Sequence, residues 1–91
     1  MGKQLELFRL ADGQYRILLY KPDHNPPHIH LRDAGGQKAA VIEIESLVVV
    51  VNDGFHTREL NYVIEYLRKR KQQILNRWTE IQERNRNDDE N

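Results

Sequence analysis

The hydrophobic period of this chain changes once, at Thr57, and that change limits the fold more than any other feature. Upstream, apolar residues alternate or gather in short β-branched runs. Downstream, Leu60, Val63, Ile64, Leu67, Ile74, Leu75, Trp78 and Ile81 recur near i, i+3, i+4, i+7, the stripe of an amphipathic helix. Strands followed by a helical segment predict an α+β fold: an antiparallel sheet of four or five strands with one long C-terminal helix packed on it. Thr57 is the predicted N-cap, with Glu59 in the first turn where the helix dipole favours a carboxylate. His56 reads as the approach to the helix, and Tyr62 and Tyr66 as packing at the edge of its apolar stripe.

Within the first part, Leu5 to Leu10 and Tyr15 to Tyr20 flank Ala11-Asp12-Gly13-Gln14. Asp-Gly between two apolar runs predicts a β-hairpin, because glycine accepts the positive φ of a tight turn. Neither face of Tyr15–Tyr20 is cleanly polar, which suits a central strand covered in part on both sides. A third strand is expected over His28–Arg32, a turn at Asp33-Ala34-Gly35-Gly36, and a fourth strand over Lys38–Glu45. The run Ser46–Val51 favours strand by its four consecutive valines, either as a fifth strand or as the fourth prolonged around a bulge. Asn52-Asp53-Gly54 closes the β region.

Ninety-one residues without repeats or a linker predict one domain, here residues 1–84, with a thin core. Residues 85–91 carry no apolar side chain and are expected to form a disordered polar tail. With no cysteine in the chain, disulfides, thiolate nucleophiles and cysteine-ligated zinc are excluded. No segment approaches the roughly 20 apolar residues that span a bilayer, and the lack of an export signal points to a cytoplasmic protein. Lysine plus arginine equals aspartate plus glutamate at 14 each, so no overall positive field attracts nucleic acid. The basic run Arg68-Lys69-Arg70-Lys71 spreads around a helix at about 100° per residue. It reads as a solvated face, with weak, salt-sensitive binding to duplex DNA at most.

The chemistry gathers in Asp23-His24-Asn25-Pro26-Pro27-His28-Ile29-His30, which holds three of the four histidines. Two consecutive prolines fix φ and push the preceding residues towards extended conformations, so the segment is stiff and non-helical. His28 and His30, two apart at the start of a strand, leave the same face. His24 lies one bend upstream and is expected to join them.

These residues are similar to those of a family of small bacterial proteins of unknown function. The resemblance rests on Tyr20, the run Asp23 to His30, Glu43 with Leu47, and the helix carrying Leu60, Leu67 and Trp78. It covers nearly the whole chain, apart from the added strand Leu5–Leu10. Members are often encoded beside a second small domain, so the resemblance implies an interaction or regulatory domain, one half of a toxin–antitoxin-like pair. It supplies no catalytic residues.

Three readings of the histidines stand open. In the first, His24, His28, His30 and Asp23 hold a divalent transition metal such as zinc, with Glu43 or Glu45 near enough to complete the set, and the protein is a small hydrolase. In the second, the histidines are catalytic without metal, as acid and base in RNA cleavage, with Arg32 or Lys21 stabilising charge. In the third they are structural, bonding carbonyls of the rigid turn and stacking on Tyr20.

Helix length adds an expectation about assembly. A helix from Thr57 to about Arg84 runs roughly 40 Å, whereas five strands span only some 20–25 Å. Residues Arg68–Gln73 contain no glycine or proline to break it. Ile74, Leu75, Trp78 and Ile81 then overhang the sheet and form an interface with a second copy or a small protein partner.

Overall fold

The computed structural model describes residues 3–90, with side chains through residue 83. Five strands, β1 (Lys3–Leu10), β2 (Tyr15–Lys21), β3 (His28–Asp33), β4 (Ala39–Glu43) and β5 (Val49–Asp53), precede two helices, α1 (Thr57–Lys69) and α2 (Lys71–Glu90). The strands pair with their sequence neighbours in one antiparallel sheet ordered β1-β2-β3-β4-β5. The tail expected from residue 85 onward lies outside the residues whose side chains are described. Among the described residues no helix is long and apolar enough to cross a membrane.

The hairpin joining β1 and β2 turns where Asp-Gly predicts. Ala11, Asp12 and Gly13 all take positive φ, and the Gly13 N–H donates to the Leu10 carbonyl at 3.1 Å. Strand alternation then divides the sheet. Ile17, Leu19, Ile29, Leu31, Ala40 and Ile42 point to one face and join Leu60, Val63 and Leu67 of α1 and Ile74, Trp78 and Ile81 of α2 in a single core. On the other face Leu18 stands opposite His30, and His30 opposite Val41. Leu18 is buried there too, so β2 is covered on both sides as its mixed pattern requires.

The chain after Glu43 forms a separate fifth strand rather than a prolonged fourth. Val41 pairs with Val51 and Ile42 with Val49, leaving Val50 as an extra residue on β5. That is a β-bulge, which re-aims side chains locally. At the helix start the cap is His56, one residue before the predicted Thr57. The Glu59 carboxylate reaches back to accept the His56 N–H at 2.9 Å and also accepts the Tyr15 hydroxyl at 3.0 Å, so the favourable contact is set by the acid three residues on.

The single long helix is not formed. Arg70 leaves helical geometry at φ −122° and ψ 17°, its N–H bonded to the Leu67 carbonyl, and α2 begins at the next residue. The Arg70 guanidinium lies 3.8 Å from the Tyr66 ring, and the Lys71 ammonium donates to the Glu45 carbonyl. Ile74, Trp78 and Ile81 consequently fall within the chain's own core, and Leu75 packs against it half-buried. Burying three large side chains is worth about 1.5–3 kcal/mol each. Interrupting the helix forfeits a few backbone hydrogen bonds at about 1 kcal/mol apiece. Packing therefore overrides the favourable local propensity of residues 68–73. The overhang that called for a second chain over Ile74, Leu75, Trp78 and Ile81 does not exist.

Candidate functional site

Asp23 is the hub of the histidine cluster. It sits between β2 and β3, in a connection with cis peptide bonds at Lys21-Pro22 and Asn25-Pro26. Helix α2 holds this connection through Gln82, whose side-chain oxygen accepts the Asp23 N–H and whose amide group donates to the Tyr20 carbonyl, each at 3.1 Å. One carboxylate oxygen, Oδ2, lies 2.9 Å from His28 Nε2 and 3.3 Å from His30 Nε2. The other, Oδ1, accepts the His24 N–H at 2.9 Å and lies 3.2 Å from His24 Nδ1.

The three histidines are not equivalent. Among the described residues His28 is the sole buried polar or charged one, 6% exposed. Its ring packs against the Trp78 indole at 5.1 Å between centroids, and its Nδ1 lies 2.8 Å from the Pro26 carbonyl. A carbonyl only accepts, so Nδ1 carries the proton, and Nε2 meets the Asp23 carboxylate favourably only with a proton or a cation between the two atoms. His30 stacks on Tyr20 at 4.1 Å, and Tyr20 in turn accepts a hydrogen bond from Arg32 at 3.2 Å. The His24 side chain is 85% exposed and forms the mouth of the site. The structural reading's two contacts, a ring nitrogen on a turn carbonyl and a stack on Tyr20, are both present.

Burial works to raise the Asp23 carboxyl, but the His24 N–H, the His30 hydrogen bond and the two neighbouring rings outweigh it and hold the group below its ordinary range. His30 moves down as well: burial is the main cause, aided by His28 and Arg32 and opposed by the Asp23 hydrogen bond. These shifts favour an ionised carboxylate beside a neutral His30 imidazole.

Asp23, His28 and His30 each offer one ligand atom, all within 4.8 Å of one another. His24, expected as a fourth ligand, contributes no atom to that group. Beside the triad lies a cavity of about 340 Å³, walled on one side by Asp23, His24, Pro26, His28 and His30 and on the other by Val41, Glu43, Val50 and Val51. Glu43 pairs directly across the ladder with His28, so its carboxylate rises from the same face, where it accepts a hydrogen bond from the Ser46 hydroxyl. Glu45, Lys21 and Arg32 do not line the cavity. Sequence reasoning missed Gln82 and the part Trp78 plays behind His28. The signal for Gln82 was its place four residues after Trp78, on the same helix face.

No curated protein and no solved structure matches the chain. The family comparison does match, over residues 15–79, a span that begins at β2. The matched span contains Asp23, His28 and His30 together with the strands and the Trp78 that position them, and the chain belongs to the family described as a domain of unknown function, DUF4160.

Proposed function

We propose that the chain is a metal-dependent hydrolase whose divalent transition metal, zinc being the type case, is held by His28 Nε2, His30 Nε2 and the Asp23 carboxylate. The carrying observation is convergence: two imidazole nitrogens lie 2.9 and 3.3 Å from one carboxylate oxygen. Ligand atoms bound to zinc at about 2.0–2.2 Å stand roughly 3–3.5 Å from one another; both nitrogen–carboxylate separations are close to that, and the two ring nitrogens lie within 4.8 Å of each other. The Pro26 carbonyl behind His28 supports the same reading, because ligating histidines usually donate their other N–H to a carbonyl or carboxylate. His28, His30 and Asp23 would hold such an ion, which would supply Lewis acidity at the edge of the cavity and lower the pKa of a water there. The chain's own groups supply the rest. Tyr20, Trp78 and Pro26 orient the rings, Gln82 fixes the backbone of Asp23, and Glu43 stands ready to take a proton on the cavity side.

Elemental analysis of protein purified without an affinity tag tests this. About one equivalent of metal is expected, lost in Asp23→Asn, which is nearly isosteric, and in His28→Ala. Wild-type protein that holds no metal even after reconstitution refutes the centre. A second reading, an interaction or regulatory domain in a toxin–antitoxin-like pair, draws on β5, an edge strand whose Val50 and Val51 are half exposed, as is Val48 just before it. Sedimentation equilibrium alone and with a co-expressed partner tests that reading, and a lone monomer in both cases removes it.

A further inference from the structure

The cavity beside the triad has a directional floor. His30, Val41 and Val51 are successive cross-strand partners on β3, β4 and β5, so they form a straight row on one face. At about 4.8 Å per strand the row extends roughly 10 Å away from the triad. The β5 bulge adds Val50 to the same wall. Val50 and Val51 are 50% and 54% exposed, two of only four large hydrophobic residues so exposed among those described. Exposed apolar side chains gathered beside convergent polar groups are the usual composition of a small-molecule site.

Charge narrows the ligand further. No lysine or arginine lines the cavity, whereas Asp23 and Glu43 both do. Asp23 as ligand and Glu43 on the cavity wall would together offset the charge of a divalent ion on the triad, which leaves little positive charge to attract a phosphate. Arg32 is turned to the Tyr20 hydroxyl.

Resting on the metal centre proposed above, we infer that the site takes an uncharged acyl compound, an ester or amide, whose carbonyl lies at the triad and whose unbranched or short branched apolar chain runs over Val41 towards Val51. Hydrolysis then adds water to the acyl carbon and breaks the bond from that carbon to oxygen or nitrogen. The carboxylic acid forms, and the leaving group departs with the proton. Phosphodiesters, which the histidine cluster alone would equally suggest, are disfavoured by the acidic rim.

Cobalt(II)-loaded protein provides a readout independent of turnover, since ligands entering the metal's coordination sphere change its visible absorption. Titration with straight-chain alkyl hydroxamates of increasing length is expected to tighten binding by about three- to fourfold per methylene. The gain stops once the chain passes Val51. Phenyl phosphate is expected to bind more weakly than the longer hydroxamates, and Val51→Ser, at an exposed edge position, flattens the dependence on length. Cobalt uptake with no dependence on chain length, or with phenyl phosphate binding tightest, overturns the acyl-chain inference while leaving the metal centre standing. Failure to take up cobalt overturns both.

Discussion

Replacing Trp78 with alanine separates the folded arrangement described above from one in which Trp78 is an assembly contact. Trp78 is 4% exposed, and it packs both into the core with Ile74 and Ile81 and against the His28 ring. A buried tryptophan removes on the order of 200 Å² from water, worth about 5 kcal/mol at 25 cal/mol per Å². That is an upper bound, because the unfolded chain already hides part of this surface. Alanine keeps a fraction of it and leaves a cavity, so a loss of about 3–5 kcal/mol is expected. For a domain of this size total stability is about 5–15 kcal/mol, and each kcal/mol moves the melting temperature by about 4–8 °C. Urea unfolding followed by far-ultraviolet circular dichroism measures the change, since the variant has no tryptophan to report fluorescence. The midpoint falls strongly with little change in slope, and independently of protein concentration. A loss below about 1 kcal/mol, or one that depends on concentration as dissociation of an assembly does, refutes the reasoning.

Gln82→Ala removes both hydrogen bonds that tie α2 to Tyr20 and Asp23. A loss of about 1–2 kcal/mol is expected, with faster hydrogen exchange at the Asp23 amide and weaker metal retention; unchanged exchange at Asp23 counts against the clamp. Glu59 is held below its ordinary value, chiefly by the His56 N–H, against burial and with help from the Tyr15 hydroxyl and Lys38. A depressed folded value means that its contribution is present above the unfolded pKa and is lost as pH falls through the folded one. Glu59→Gln should therefore lower stability at neutral pH and weaken its fall on acidification, as read from urea midpoints between about pH 3 and 7; an identical acid limb in both proteins rules this out.

The local pattern determined much of the architecture. Asp12-Gly13 marked the first hairpin because positive φ is cheap at glycine, although the turn holds Ala11 and Asp12 at positive φ as well. Alternation placed His28 and His30 on one face because a strand's side-chain period is two, and the change of period at Thr57 divided sheet from helix. These are properties of short windows, and a sequence displays them directly. The choice among distant partners lay elsewhere. Residues 68–73 are good helix formers, and only the core available to Ile74, Trp78 and Ile81 after a turn at Arg70 made interruption the better state. The same turn carried Trp78 behind His28 and Gln82 onto Asp23, separations of 50 and 59 residues that no local rule encodes. Which side chain completed the histidine pair was settled in the same way. Neighbouring His24 and Asp23 were equal candidates by position, but the bonded connection turns Asp23 inward, 11% exposed, and leaves His24 at the mouth. The bulge that sets Val50 beside Val51 arises from pairing β5 against β4, a register that exists only once both strands are in the sheet. Backbone preference acts on neighbours in sequence, whereas burial and hydrogen-bond satisfaction act on neighbours in space, and the site was assembled by the second.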